Sequence, residues 1–157
     1  MHHAVTAIAL LFVVGLIPAA LHADESEATE ATIIRMERAA LDRWGNGDPD
    51  GFLEISAPDV TYFNPFQSRR LNGIGELRKV YDEVRGKIKL DRYELIDPKV
   101  QVCGDTAILT FNFVSHGSEG VMRWNTTEVY RLKDSQWRII HTHWSLMQTA
   151  STASPEK

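Results

Sequence analysis

Two imidazoles and a hydroxyl, His141, His143 and Ser145, alternate along a strand-like stretch from Trp137 to Ser145. Alternate residues of a strand share a face, so these three project together with Trp137 and Ile139. Arg138, Ile140, Thr142 and Trp144 take the other face. Both faces hold large apolar groups, so one side is expected to pack on protein while the other lines a partly polar cavity. Imidazole titrates near neutrality and can take up and return a proton, the elementary act of acid–base catalysis. His-x-His also sets two nitrogens on one side, and a carboxylate such as Glu128 would complete a three-ligand metal site with an open position. Two histidines at this spacing are a weak metal signal, and neither a metal nor a cofactor is expected. Structural or generic pocket-lining roles outweigh catalysis for each histidine taken alone.

The elements that must position these groups follow from hydrophobic periodicity. Residues 24–31 are acidic and suit a solvated lead-in or the first turn of a helix. Ile33, Met36, Ala40, Leu41 and Trp44 recur at helical spacing and stop at Gly45-Asn46-Gly47. Asp48-Pro49 then opens a short second helix through Phe52, Leu53 and Ile55, ending before Pro58. Val60 to Asn64 reads as a strand ended by Pro65, and Asn72-Gly73 begins a third helix with Ile74, Leu77, Val80, Tyr81 and Val84 on its buried stripe. Four strands are expected over 88–102, 106–116, 121–132 and 137–147. The connections between them are hairpin-short, which makes an α+β domain with a largely antiparallel sheet. Such a sheet, curling around three N-terminal helices, leaves a conical hollow between the two layers.

Bulk composition narrows the function class. The chain has 157 residues, 43% hydrophobic and 24% charged, as one globular domain with extensions would. A net charge of −4 gives no electrostatic reason to expect a nucleic-acid partner. Residues 1–23 carry no Asp, Glu, Lys or Arg, and an apolar run from Ile8 to Ile17 is followed by Pro18, small residues and Ala23 before Asp24. This resembles a secretory signal peptide, although Met1-His2-His3 lacks the usual Lys or Arg. The run is short for a membrane span, so an exported protein, periplasmic or secreted, with no membrane attachment after cleavage is expected. Cys103 is the single cysteine, so no internal disulfide is possible. The segments are then a signal peptide at 1–23, the lead-in at 24–31, the folded domain at 32–148 and a disordered tail at 149–157.

Several strings carry a resemblance. They are Asn46-Gly47-Asp48 with Phe52, Thr61-Tyr62-Phe63-Asn64-Pro65, Asn72-Gly73, Thr127-Glu128-Val129-Tyr130-Arg131 through Asp134, and Trp137 to Ser145. In this order and spacing, over about residues 30–148, the chain resembles the nuclear transport factor 2-like superfamily. The likeness is to its SnoaL-like proteins and to the association domain of calcium/calmodulin-dependent protein kinase II. The resemblance implies a cone-shaped, strongly curved antiparallel sheet on three helices, of cystatin-like α+β type, with one pocket that serves isomerases, cyclases, dehydratases and binding domains alike. It places Asn64 where ketosteroid isomerases of this fold carry their base, Glu128 at an oxyanion-hole acid, and Ala40 where those enzymes have a tyrosine. An amide cannot take up a proton at neutral pH, so steroid isomerisation is not expected. The association domain has arginine at the position of Glu128, so anion binding is not carried over.

By the same resemblance Trp124, Thr126, Glu128 and Tyr130 face the pocket, as do His141, His143 and Ser145. Paired as a hairpin, the two strands would bring Glu128 within reach of one or both imidazoles. Such a pair shares a proton and could serve dehydration, isomerisation or cyclisation. Asn64, Asn112 and Tyr62 would orient a substrate carbonyl or hydroxyl, with Trp44 as an apolar wall. The resemblance also implies self-association through the outer sheet face, with Trp144 and Tyr93 as contributors. Three readings stay open. One is a pocket protein, as a homodimer, for a small, partly apolar molecule. The second is a cofactor-free lyase or isomerase using Glu128 with His141 or His143, and the third an oligomerisation scaffold.

Overall fold

The structure, a computed structural model, describes residues 19–147, with side chains described from residue 25 onward. Most of the expected signal segment, the last residue of the expected domain and the tail at 149–157 lie outside the described residues.

The first helix, α1 (Ala19–Gly45), takes in the acidic lead-in, of which Glu25 to Ala28 are exposed. Ile33, Ala40 and Leu41 are almost fully buried on its inner stripe. Gly47 closes it at φ 82°, and an added Cβ would lie 3.0 Å from the Gly86 Cα, so both conformation and space demand glycine. A short helix α2 (Asp50–Ile55) follows, and the Asp48 carboxylate accepts the Asp50 N–H at 3.0 Å. Strand β1 (Ser56–Phe63) starts before the expected Val60 and runs through Pro58. Its pairing register shifts between Ser56 and Thr61, so the proline sits where the ladder needs no donor. A two-residue strand β2 (Leu71–Asn72) precedes α3 (Ile74–Val84), which buries Leu77 and Tyr81.

Four long strands complete the chain: β3 (Leu90–Cys103), β4 (Thr106–Gly117), β5 (Gly120–Lys133) and β6 (Gln136–Leu146). The six-stranded sheet has the order β2-β1-β6-β5-β4-β3. It is mixed, because β1 joins β6 in parallel whereas the hairpins are antiparallel. Register irregularities interrupt its long strands, two of them near mid-strand. One is in β3 between Ile96 and Lys99, where Asp97 has φ 48°. The other is on β6, where Val129 pairs with His141 and Tyr130 with Ile139, leaving Ile140 as an extra residue.

Helices and the concave sheet face share one core, including Ile33, Leu41, Val60, Leu77, Leu109 and Ile139. Each such side chain contributes about 1.5–3 kcal/mol by leaving water. Arg85 ties α3 to α2 with two bonds to the Asp50 carboxylate, at 2.8 and 3.0 Å. No helix among the described residues is long and apolar enough to cross a membrane.

Candidate functional site

A cavity of about 580 Å³ opens between the helices and the sheet. Trp44 comes from α1, Phe52 from α2, and Tyr81 from α3; Phe113, Trp124 and Trp144 come from β4, β5 and β6. Tyr62 and Asn64, at the end of β1, complete that wall. The rings interlock edge to face: Trp44 on Tyr81 at 5.0 Å, Phe113 on Trp144 at 5.4 Å, and Trp124 on Trp144 at 6.1 Å. The lining residues that carry charge are Glu83, Lys87, Lys89 and Glu119, all outside the buried core and balanced in sign. Phe66, 65% exposed, stands beside Trp124 at the mouth.

Trp44, Tyr62, Asn64 and Trp124 thus line the cavity as expected from the sequence. Glu128 and Thr126 share the inner face of β5 with Trp124, but both are buried in protein, 1% and 3% exposed.

The other expected residues lie elsewhere. Glu128 pairs across the hairpin with Thr142, while His141 opposes Val129 and His143 opposes Thr127. Both imidazoles therefore project from the opposite side of the sheet, and the proposed Glu128–His pair is not assembled. The extra residue Ile140 is the cause: it puts Ile139, Thr142 and Trp144 on one face despite their spacing. The same reversal sends Ser145, opposite Asn125, outward. Asn112 is also on the outer face, where its Nδ2 donates to Asn125 Oδ1 at 2.9 Å. The three-ligand metal set of Glu128 with the two histidines is divided by the sheet as well. Trp144 and Tyr93, expected on the outer face, point inward. Trp144 lines the cavity, and the Tyr93 hydroxyl donates to Asp42 of α1 at 2.6 Å.

Outside, the histidines form their own cluster. His141 Nδ1 lies 2.8 Å from Thr61 Oγ1, and the Phe63 ring packs on both imidazoles at 5.8 and 5.7 Å. Partial burial, then the charge of His143, lowers the His141 pKa and favours its neutral form.

Beneath the inner wall lies a residue the sequence reading passed over, Glu37. It is 0% exposed on the α1 stripe between Ile33 and Leu41. The Tyr130 hydroxyl lies 2.8 Å from Glu37 Oε2 and 3.2 Å from Glu128 Oε2. Glu128 Oε1 also accepts from Thr142 Oγ1 at 2.9 Å and from Trp144 Nε1 at 3.4 Å. Desolvation, then the Glu128 charge, pushes the Glu37 pKa well above its ordinary value. Desolvation raises Glu128 too, opposed by its hydrogen-bond donors. The available signal was a glutamate at the helical spacing of an apolar stripe, Ile33-Glu37-Leu41.

The SnoaL-like domain family matches residues 36–149 of this chain. The chain belongs to the SnoaL-like domain family. A provisionally assigned ketosteroid isomerase from Parabacteroides distasonis is 42% identical, with a TM-score of 0.68 over 74% of this chain and 86% of that one. An NTF2-like protein from Pseudomonas putida KT2440 shares the fold, with 22% identity and a TM-score of 0.71 over 82% and 94% of the two chains. The calcium/calmodulin-dependent protein kinase II hub of S. rosetta is 25% identical, with a TM-score of 0.61 over 73% and 94%. The alpha chain of that kinase from Drosophila melanogaster is 26% identical over 82% of this SnoaL-like chain. The match spans only 26% of the kinase's length.

Proposed function

We propose that this SnoaL-like protein is an exported pocket protein that binds a small, flat, largely apolar molecule. The carrying observation is the cavity of about 580 Å³, whose wall includes seven aromatic side chains of the core, Trp44, Phe52, Tyr62, Tyr81, Phe113, Trp124 and Trp144. A concave apolar site with few polar groups suits a drug-sized ligand. Binding is favoured over acid–base chemistry because the carboxylates lining the cavity, Glu83 and Glu119, are exposed residues. The buried acid Glu128 sits behind Trp144, its Oε1 occupied by donors. Native mass spectrometry of the purified protein, with calorimetric titration of naphthalene-sized aromatics, tests this reading. Micromolar binding lost in Trp124→Ala is expected; absence of any binding across the series would remove it. Export is tested by sequencing the mature N-terminus, expected at Asp24; an intact Met1 in the extracytoplasmic fraction would refute cleavage.

A second reading adds self-association through the outer sheet face. Ile108 and Val121 are exposed there at 38% and 53%, Phe63 of β1 is exposed at 44% against His143 of β6, and the hub domain provides a structural parallel. Light scattering that shows only monomers at micromolar concentration would exclude it.

A further inference from the structure

Among the polar groups of the cavity wall, Tyr62 and Asn64 form an arrangement with a donor to spare. At the end of β1 the chain turns at Asn64-Pro65-Phe66, and the Phe66 N–H donates to Asn64 Oδ1 at 2.8 Å. With its oxygen engaged by the turn, the amide presents Nδ2 to the Tyr62 hydroxyl oxygen at 2.6 Å. A phenol carries one proton and accepts through its oxygen. Tyr62 therefore accepts from Asn64, and its own O–H proton finds no acceptor among the described residues. Tyr62 is 6% exposed, so that donor is shielded from bulk water while belonging to the cavity wall. Burial also raises the pKa of the phenol, which keeps its proton. A buried, unspent donor in an apolar wall favours a ligand with an acceptor at that point.

We infer that Tyr62 anchors a carbonyl oxygen of an otherwise apolar ring ligand, and that Asn64 is the residue that positions it as a donor. The inference deepens the pocket reading and rests on it. The amide at position 64 sets the polarity of the anchor. An aspartate there would have no N–H to offer; its carboxylate would accept the hydrogen bond of the Tyr62 O–H and leave the phenol no free donor.

The test is calorimetric titration with 2-acetylnaphthalene and 2-ethylnaphthalene, which differ little in shape but only one of which has a carbonyl. The readout is the ratio of the two affinities in the unaltered protein, Tyr62→Phe and Asn64→Asp, with folding checked by circular dichroism. The ratio is expected to move against the ketone by roughly five- to tenfold in each variant, the worth of one hydrogen bond. A ratio unchanged in Tyr62→Phe, or in Asn64→Asp if the first does not fold, overturns the anchor while the pocket stands. Failure of both naphthalenes to bind the unaltered protein overturns the pocket reading and the anchor with it.

Discussion

Glu37 of the first helix and Glu128 of the fifth strand meet at a single tyrosine hydroxyl, that of Tyr130, at 2.8 and 3.2 Å. One O–H proton cannot serve two carboxylates at once, so the second contact is favourable only when one acid keeps its own proton. Glu128 has further donors in Thr142 and Trp144, whereas Glu37 Oε1 has no partner among the described residues. Glu37 is therefore the protonated member and Glu128 the one that ionises.

This pair makes stability fall as pH rises. Both carboxyls have folded-state pKa values raised above the ordinary 4.5 of a glutamate. The folded state thus holds protons that the unfolded state releases. Stability from this source is complete below pH about 4.5 and is lost as pH climbs through the folded values. Glu37→Gln keeps a hydrogen-bonding group and removes one titration. Urea denaturation from pH 5 to 9 should show the variant gaining on the parent with rising pH, by no more than about 1.4 kcal/mol per pH unit. A parallel pair of curves would refute the shared proton.

Thr142→Val removes the 2.9 Å donor to buried Glu128 while preserving shape. A hydrogen bond to a charged group contributes about 1.5–3 kcal/mol, so a loss of that order is expected at pH 8. The loss should shrink at pH 5, where Glu128 takes up its proton more readily. Equal losses at both values would place the charge elsewhere.

His141→Ala and His143→Ala are expected to leave aromatic-ligand affinity within about twofold, because the sheet separates both imidazoles from the cavity. Calorimetry gives the comparison directly. A tenfold loss in either variant would mean that the outer face communicates with the pocket.

Val129 lies between Thr127 and Arg131 on the outer face, opposite His141. Val129→Lys should shift a sheet-face dimer to monomer in light scattering with no change in cavity binding. A dimer that survives the lysine would move the interface to another surface.

Much of the architecture was legible because periodicity reports burial. The long strands β3 to β6 lie within about two residues of their expected bounds, and the α3 stripe holds Leu77 and Tyr81 inside. Trp44, Tyr62, Asn64 and Trp124 were placed at the pocket by resemblance and stand there. Pairing direction was less accessible, since nothing local states that β1 will lie parallel to β6.

The sequence by itself determined the α+β class, the order of helices and strands, and the supply of aromatic rings for one interior hollow. Tertiary structure alone decided which groups meet. Strand alternation assumes an unbroken ladder, and one surplus residue, Ile140, reverses the phase between Ile139 and Thr142. That reversal sends His141 and His143 outward, turns Trp144 onto the cavity, and leaves Glu128 to a partner from α1, Glu37, which lies 91 positions away in the chain. A bulge is a property of two strands paired together, and no inspection of either strand alone reveals it.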